Sequence, residues 1–188
     1  MRTKQNPELI EHCGMDLLQA ITTRSSIRRY TSEPVDEALL QTILNAGFCA
    51  PSADELRPWR FIVVRERATL GTLARGGMWT GMLAGAAVGI VIAGDTRAQR
   101  KEPLMIEDCS VAAQNMLLAA HGLGLGAVWC GFTHPSPMAD TCRQALGLPG
   151  HVQPVAVLSI GHPAQQAYQR PRYDAAKVHH ERWGGQAP

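Results

Sequence analysis

The sequence predicts one layered domain of mixed α/β or α+β type, with helices packed against a sheet of four or more strands. Three observations lead there. At 188 residues and 45% hydrophobic composition the chain can bury one sizeable core, and its length gives no strong reason to divide it. Four short runs, WRFIVVRE, AAVGIVIAGD, GAVWCGF and QPVAVLSIGHP, have the β-branched and aromatic character of strands. Around them lie stretches whose apolar residues recur at helical spacing, in a mixed order from which periodicity alone cannot fix the arrangement of the strands.

Residues 1–14 are polar and irregular and read as an N-terminal extension or part of a first helix. From Met15, MDLLQAITT has the spacing of a short helix that leads into RSSIRRYTSEP. After Pro34, VDEALLQTILNAGFCA is a helix: Asp36 is placed to cap it, and Leu39, Leu40, Ile43, Leu44 and Gly47 share a face. APSADELRPW breaks all periodicity and is a loop, and the first strand follows it. Residues 66–86 form one or two helices divided at Gly76 and Gly77, and the second strand turns at Gly94 and Asp95. The longest helix runs from about Glu102 to Leu123. Val111, Ala112, Met116, Leu117, Ala119 and Ala120 leave its second half almost no polar face, which predicts burial nearly all round. GAVWCGF is then a strand, SPMADTCRQALGL a helix opening at Ser136 with Pro137 in its first turn, and QPVAVLSIGHP the last core strand. The domain thus spans residues 15–188, with a polar C-terminal extension from about residue 163 that carries Arg170, Arg172 and VHHERW.

Charge and cysteine usage narrow the function. Eighteen Lys and Arg against 16 Asp and Glu give a formal net charge of +2, so there is no global basic field to draw the chain onto nucleic acid or anionic lipid. No apolar run approaches the roughly 18 residues of a membrane span, and MRTKQNPELIEHCGM lacks the apolar centre of a signal peptide. Five cysteines without a C-x-x-C pair argue against a disulfide framework and a zinc site, so reduced thiols in the cytoplasm are expected.

The arginine cluster must then act locally. Arginine forks bind phosphate oxygens bidentately and a serine hydroxyl adds a donor, so RSSIR has the equipment for one phosphate group; the plainer reading is a solvated turn paired with Glu33 or Asp36. HGLGLGAV, with Gly122, Gly124 and Gly126, closes a helix and opens a strand, the reverse of a dinucleotide-binding fingerprint, and reads as a helix end and turn. Ser159 lacks the first glycine of a nucleophile elbow, and the seven histidines show no ligand spacing and read as surface or loop residues. Glu107 and Asp108, near a helix start, read as complements to its macrodipole, and Cys130 as an inert buried thiol. In APSADELRPW, Pro51 and Pro58 stiffen a loop whose small Ala50, Ser52 and Ala53 let a flat ligand approach the backbone.

Taken in order, RSSIRRY, EPVDEALLQTILNAGFCAPSADELRPWRFIVV, EDCSVAAQNMLLAAHGLGLGAVWCG, LGLP, PVAVLSIGHP and finally RPR with VHHERW resemble the nitroreductase family of FMN-dependent oxidoreductases, over about residues 16–183. The resemblance implies an α+β, three-layer fold with a central, mostly antiparallel sheet between helices, working as an intertwined homodimer with two FMN sites at its interface. It implies that Arg24, Ser25 and Ser26 hold the FMN phosphate and ribityl chain, and that Arg28 reaches the pyrimidine side of the flavin near N1 and O2. It places Pro51, Ser52 and Ala53 of the other subunit at the border of the isoalloxazine. Val128, Trp129, Cys130 and Gly131 are implied to lie along the ring, with a backbone amide of Cys130 or Gly131 aimed at N5, and Arg170 and Arg172 to close over the phosphate. Where the family pattern has asparagine and glutamine, this chain has Glu55 and Arg57. A carboxylate cannot donate the amide hydrogen bonds of asparagine; Glu55 has Arg57 within reach as an ion-pair partner, and no flavin role is carried onto either.

The activity so implied is a two-step cycle. NADH or NADPH passes hydride to flavin N5 and leaves, and a small electron acceptor such as a nitroaromatic or quinone takes its place. No side chain is required as general acid or base, and Arg28 supplies positive charge where the flavin can carry negative charge. The alternatives are a flavin-binding or sensing protein without turnover, a domain that binds no flavin and whose arginines merely bind anions, and a member specialised for dehalogenation, dehydrogenation or flavin destruction.

Overall fold

Each strand sends alternate side chains to opposite sides of the sheet, and both sides of this one are apolar, so helices must cover both. The computed structural model describes residues 15–167 and 172–185; the N-terminal extension and Arg170 lie outside the described residues. The strands are β1 (Trp59–Val64), β2 (Val88–Asp95), β3 (Gly126–Gly131) and β4 (Val152–Gly161), in the spatial order β1-β2-β4-β3 with every neighbour antiparallel. The helices are α1 (Leu17–Thr23), α2 (Glu37–Phe48), α3 (Arg67–Arg75), α4 (Glu102–Gly122) and α5 (Pro137–Leu146).

On one side of the sheet Trp59, Ile90, Ile92, Ala127 and Leu158 pack with Leu40 and Ile43 of α2 and with Cys109, Ala112 and Met116 of α4. On the other, Val64, Val91, Val128, Cys130 and Val157 meet Leu70 and Leu73 of α3 and Met138 and Cys142 of α5. The result is the three-layer α+β arrangement with an antiparallel centre. A bulge opposite Ile92 and Ala93 inserts Val155, and this turns Val155 into the α4 side although Val157, two residues on, faces α5. The buried Asp95 closes β2, bonded by the Arg97 backbone and by both Arg97 and Arg60 guanidiniums. These partners, Arg97 foremost, hold its carboxyl well below the usual carboxylate range.

Two details differ from the sequence reading. Asp36 does precede α2, but its side chain makes no capping hydrogen bond; Asp16 caps α1 through Leu18 N–H and Ser136 caps α5 through Ala139 N–H. Helix α4 is also less buried than its composition predicts. Met105, Cys109, Ala112, Met116 and Ala120 are buried, whereas Ile106 and Val111 face outward. Among the described residues no element covers that apolar line. Among the described residues no helix is long and apolar enough to cross a membrane.

Candidate functional site

The arginine segment follows α1 as an extended strip held from two sides. Ser26 bridges Ala127 in parallel, and Ile27 N–H donates to the Ala127 carbonyl at 3.0 Å, so the strip lies along β3 at the sheet edge. On its far side Tyr30 bridges Pro163, and Thr31 N–H donates to His162 O. Gln165 Oε1 accepts both Arg28 N–H at 3.1 Å and Arg29 N–H at 3.0 Å. The Tyr30 hydroxyl lies 2.7 Å from Ile27 O and 3.0 Å from Ser159 O, and burial raises its pKa above the ordinary phenol value. Neither Gln165 nor Tyr30 is distinguished by type or spacing in the sequence; only their cross-chain bonds reveal them.

At the upstream end of the strip, positive groups converge. Arg172 Nη2 donates to the Arg24 carbonyl at 2.9 Å, so the C-terminal extension does return to this segment. Burial, and then the neighbouring Arg172 charge, lower the Arg24 pKa. His121, half-buried at the end of α4, contacts Thr23 Oγ1 at 2.8 Å; burial and then Arg24 lower its pKa too. Among the described residues no carboxylate pairs with Arg24, Arg28 or Arg172. Among the described residues the Ser25 hydroxyl is buried with no hydrogen-bond partner. An orphaned donor beside unneutralised guanidiniums is the donor set for an anion, and phosphate oxygens satisfy both kinds of group.

The downstream end opens into a cavity of about 1300 Å³ on the α3–α5 side of β3. Arg28, Val128, Trp129, Cys130 and Gly131 all line it, which brings together two of the segments singled out from sequence. Beyond Ala127 no described strand pairs with the outer edge of β3, so alternate N–H groups there can donate to a ligand. Burial pushes the Cys130 thiol up to about 11, and its sulfur lies 3.5 Å from Met82 Sδ; it is protonated at neutral pH and is no nucleophile. The opposite wall, from Arg75 through Met82, was visible in the sequence only as a break at Gly76 and Gly77.

The loop before β1 lies elsewhere. Ala53 N–H donates to Asp108 Oδ1 on α4 at 2.8 Å, and Ser52 Oγ accepts Arg57 N–H at 3.0 Å. Asp108 is thus not a helix-end charge but a buried carboxylate anchoring this loop, and its second oxygen has no partner among the described residues. Asp54, Glu55 and Arg57 all adopt left-handed backbone conformations, at φ 52°, 55° and 46°. Such conformations are costly for residues other than glycine and gather at functional loops. Glu55 and Arg57 are exposed and form no ion pair with each other. His121 lies 13 residues beyond Asp108 on α4, about 20 Å at 1.5 Å per residue. Pro51, Ser52 and Ala53 are therefore at the far end of α4 from Arg24, next to the opposite edge strand of the sheet.

A sequence model of the nitroreductase family matches residues 21–81 and 66–162. A Methanothermobacter thermautotrophicus protein named "Putative NADH dehydrogenase/NAD(P)H nitroreductase" is 41% identical over 169 residues, 90% of this chain and 88% of its own. The NADPH-flavin oxidoreductase of Vibrio harveyi is 31% identical, over 87% of this chain and 72% of its own. The crystal structure of a "putative nitroreductase" from Desulfovibrio desulfuricans in complex with FMN has 34% identity and a TM-score of 0.77, covering 95% of this chain and 99% of that one. With the motif order, the three-layer fold and the matched length in agreement, the chain belongs to the nitroreductase family.

Proposed function

We propose that this protein is an FMN-dependent NAD(P)H oxidoreductase that reduces a small electron acceptor and works as a homodimer. One observation carries the reading: an anion-shaped gap in the charge balance, made of Arg24, Arg172 and the orphaned Ser25 hydroxyl, opens along β3 into a cavity floored by residues 128–131. The residues present fit FMN. Arg24, Ser25, Ser26 and Arg172 would hold its phosphate and ribityl chain, and Arg170 would join them. Arg28 would set a positive charge at the pyrimidine edge, while Val128, Trp129, Cys130 and Gly131 would support the ring and offer backbone N–H groups to it. Bound FMN supplies the two-electron chemistry, accepting hydride from NADH or NADPH and passing electrons to the acceptor.

The chain's own part is to grip, orient and shield. Gln165 and Tyr30 fix the backbone on which Arg28 rides, so the segment is held in place before any ligand arrives. A second copy would supply Pro51, Ser52 and Ala53 to the border of the ring, because within one chain Asp108, to which Ala53 is bonded, lies about 20 Å along α4 from His121 beside the arginines. The outward Ile106 and Val111 on α4 and Leu17, Leu18 and Ile21 on α1 give that copy an apolar face to cover.

Purified protein tests this directly. It is expected to be yellow, or to gain absorbance near 450 nm with FMN, and to bleach on anaerobic addition of NADH or NADPH. A sample that stays colourless with excess FMN overturns the reading, and a yellow one that no nicotinamide bleaches leaves a binder rather than an enzyme.

A further inference from the structure

His121 lies in the last turn of α4 with its ring against the end of α1, one residue before Arg24. Its Nε2 is 2.8 Å from Thr23 Oγ1, whose own proton is committed: that hydroxyl donates to Gln19 O at 2.6 Å, and a carbonyl can only accept. His121 therefore donates from Nε2, and Nδ1 is the nitrogen at which a proton comes and goes. The ring can change charge without releasing Thr23.

Opposing forces set that charge. A helix C-terminus favours a cation, whereas burial and then Arg24 disfavour it and lower the His121 pKa. Arg24 is the charged group that acts on the ring from the strip, and Arg172, bonded to the Arg24 carbonyl at 2.9 Å, brings a second guanidinium from the C-terminal extension. The last turn of α1 contributes Thr23 and no charge. The strip is also drawn close to the end of α4. Gly126, just beyond that end, leaves room for Ile27, since a Cβ there would meet Ile27 Cγ2 at 2.5 Å, and Ile27 N–H is bonded to Ala127 O. The orphaned Ser25 hydroxyl lies in the same stretch.

A group that feels Arg24 also feels an anion that Arg24 holds. A phosphate dianion outweighs one guanidinium, so filling the gap reverses the field at the imidazole and favours its charged form. Riboflavin has the ring and ribityl chain of FMN without the phosphate, and brings no such charge.

We propose that His121 is a third cation of the FMN phosphate site, taking up a proton as the phosphate enters and so favouring FMN over riboflavin more strongly at lower pH. The proposal rests on the reading of the gap between Arg24 and Arg172 as the place of that phosphate. A pKa raised by the ligand means proton uptake on binding; the gain is complete below the free-state pKa and is lost as pH rises through the bound one. The second ionisation of the phosphate, at about pH 6, acts in the opposite sense, because guanidiniums hold it deprotonated and binding then releases a proton.

The test is NMR titration of the His121 Cε1–H resonance, assigned by its loss in His121→Gln, with calorimetry in buffers of different ionisation enthalpy. Saturation with FMN is expected to raise the pH midpoint of that resonance, and riboflavin to leave it at the free-protein value. His121→Gln keeps an N–H for Thr23 but cannot titrate. Between about pH 8 and pH 6 the wild type is expected to gain about fivefold in FMN affinity relative to this variant, and to take up more protons on binding than it does. An unmoved midpoint in FMN-saturated protein, or equal pH dependence in the two proteins, overturns the proposal. A wild type that takes up no FMN overturns the functional reading instead. Inorganic phosphate then replaces FMN in the same titration, where a raised midpoint upholds His121 as part of an anion site and an unmoved one overturns it.

Discussion

Arg172 donates a hydrogen bond to the Arg24 carbonyl, and in the patch they form with His121, burial and then Arg172 lower the Arg24 pKa while burial and then Arg24 lower that of His121. Such a patch is tolerable when an anion fills it, since a phosphate converts mutual repulsion into charge-assisted hydrogen bonds worth about 1.5–3 kcal/mol each. Arg24→Ala together with Arg28→Ala is therefore expected to weaken FMN binding by several kcal/mol, measured by flavin fluorescence titration. The folded chain is expected to persist, because neither guanidinium makes an ion pair among the described residues. Flavin content unchanged in the double variant refutes the assignment of this segment. At the same scale, Cys130 borders the cavity, but burial keeps its thiol protonated, so its place is in the wall and not in the chemistry.

The elements were legible in the sequence where local chemistry decides them. The β-branched runs became β1 to β4, and Ser136 with Pro137 opened α5 as expected. What stayed hidden depends on distant partners. The pairing of β2 with β4 joins Val88 to Ile160, and no local pattern encodes that register. The left-handed stretch at Asp54, Glu55 and Arg57 was invisible because glycine or asparagine usually signals such backbone. Asp108 did carry a signal: it sits beside Cys109 and three residues after Met105 on the buried face of α4, where a lone carboxylate needs a partner. That partner is Ala53 N–H, so one hydrogen bond ties α4 to a strained loop. Asp108→Ala orphans this N–H, at a cost of about 1–3 kcal/mol in urea unfolding, and is expected to lower flavin affinity as the loop relaxes. Asp108→Asn keeps an acceptor for the same N–H and is expected to restore most of both. A variant Asp108→Ala that loses stability with flavin affinity unchanged limits Asp108 to a structural role.

For the whole molecule, the question is why the loop at one end of α4 and the arginines at the other both match flavin-site motifs. On the proposed function, the loop and the strip reach one ring by coming from two copies packed through α4, the loop of one set beside the arginine strip of the other. The outward Val111, 40% exposed on α4, where Ile106 also faces outward, lies on the face that such packing would cover. An arginine at that position adds a charge to an apolar contact, which costs several kcal/mol when no partner is available. Val111→Arg is thus expected to sediment as a monomer, with circular dichroism unchanged because the side chain points away from the chain's own core. Its flavin affinity is expected to fall in step, since each site loses the loop supplied by its neighbour. A Val111→Arg protein that stays dimeric places the interface elsewhere, and one that becomes monomeric yet binds FMN at full strength shows that one chain completes the site alone.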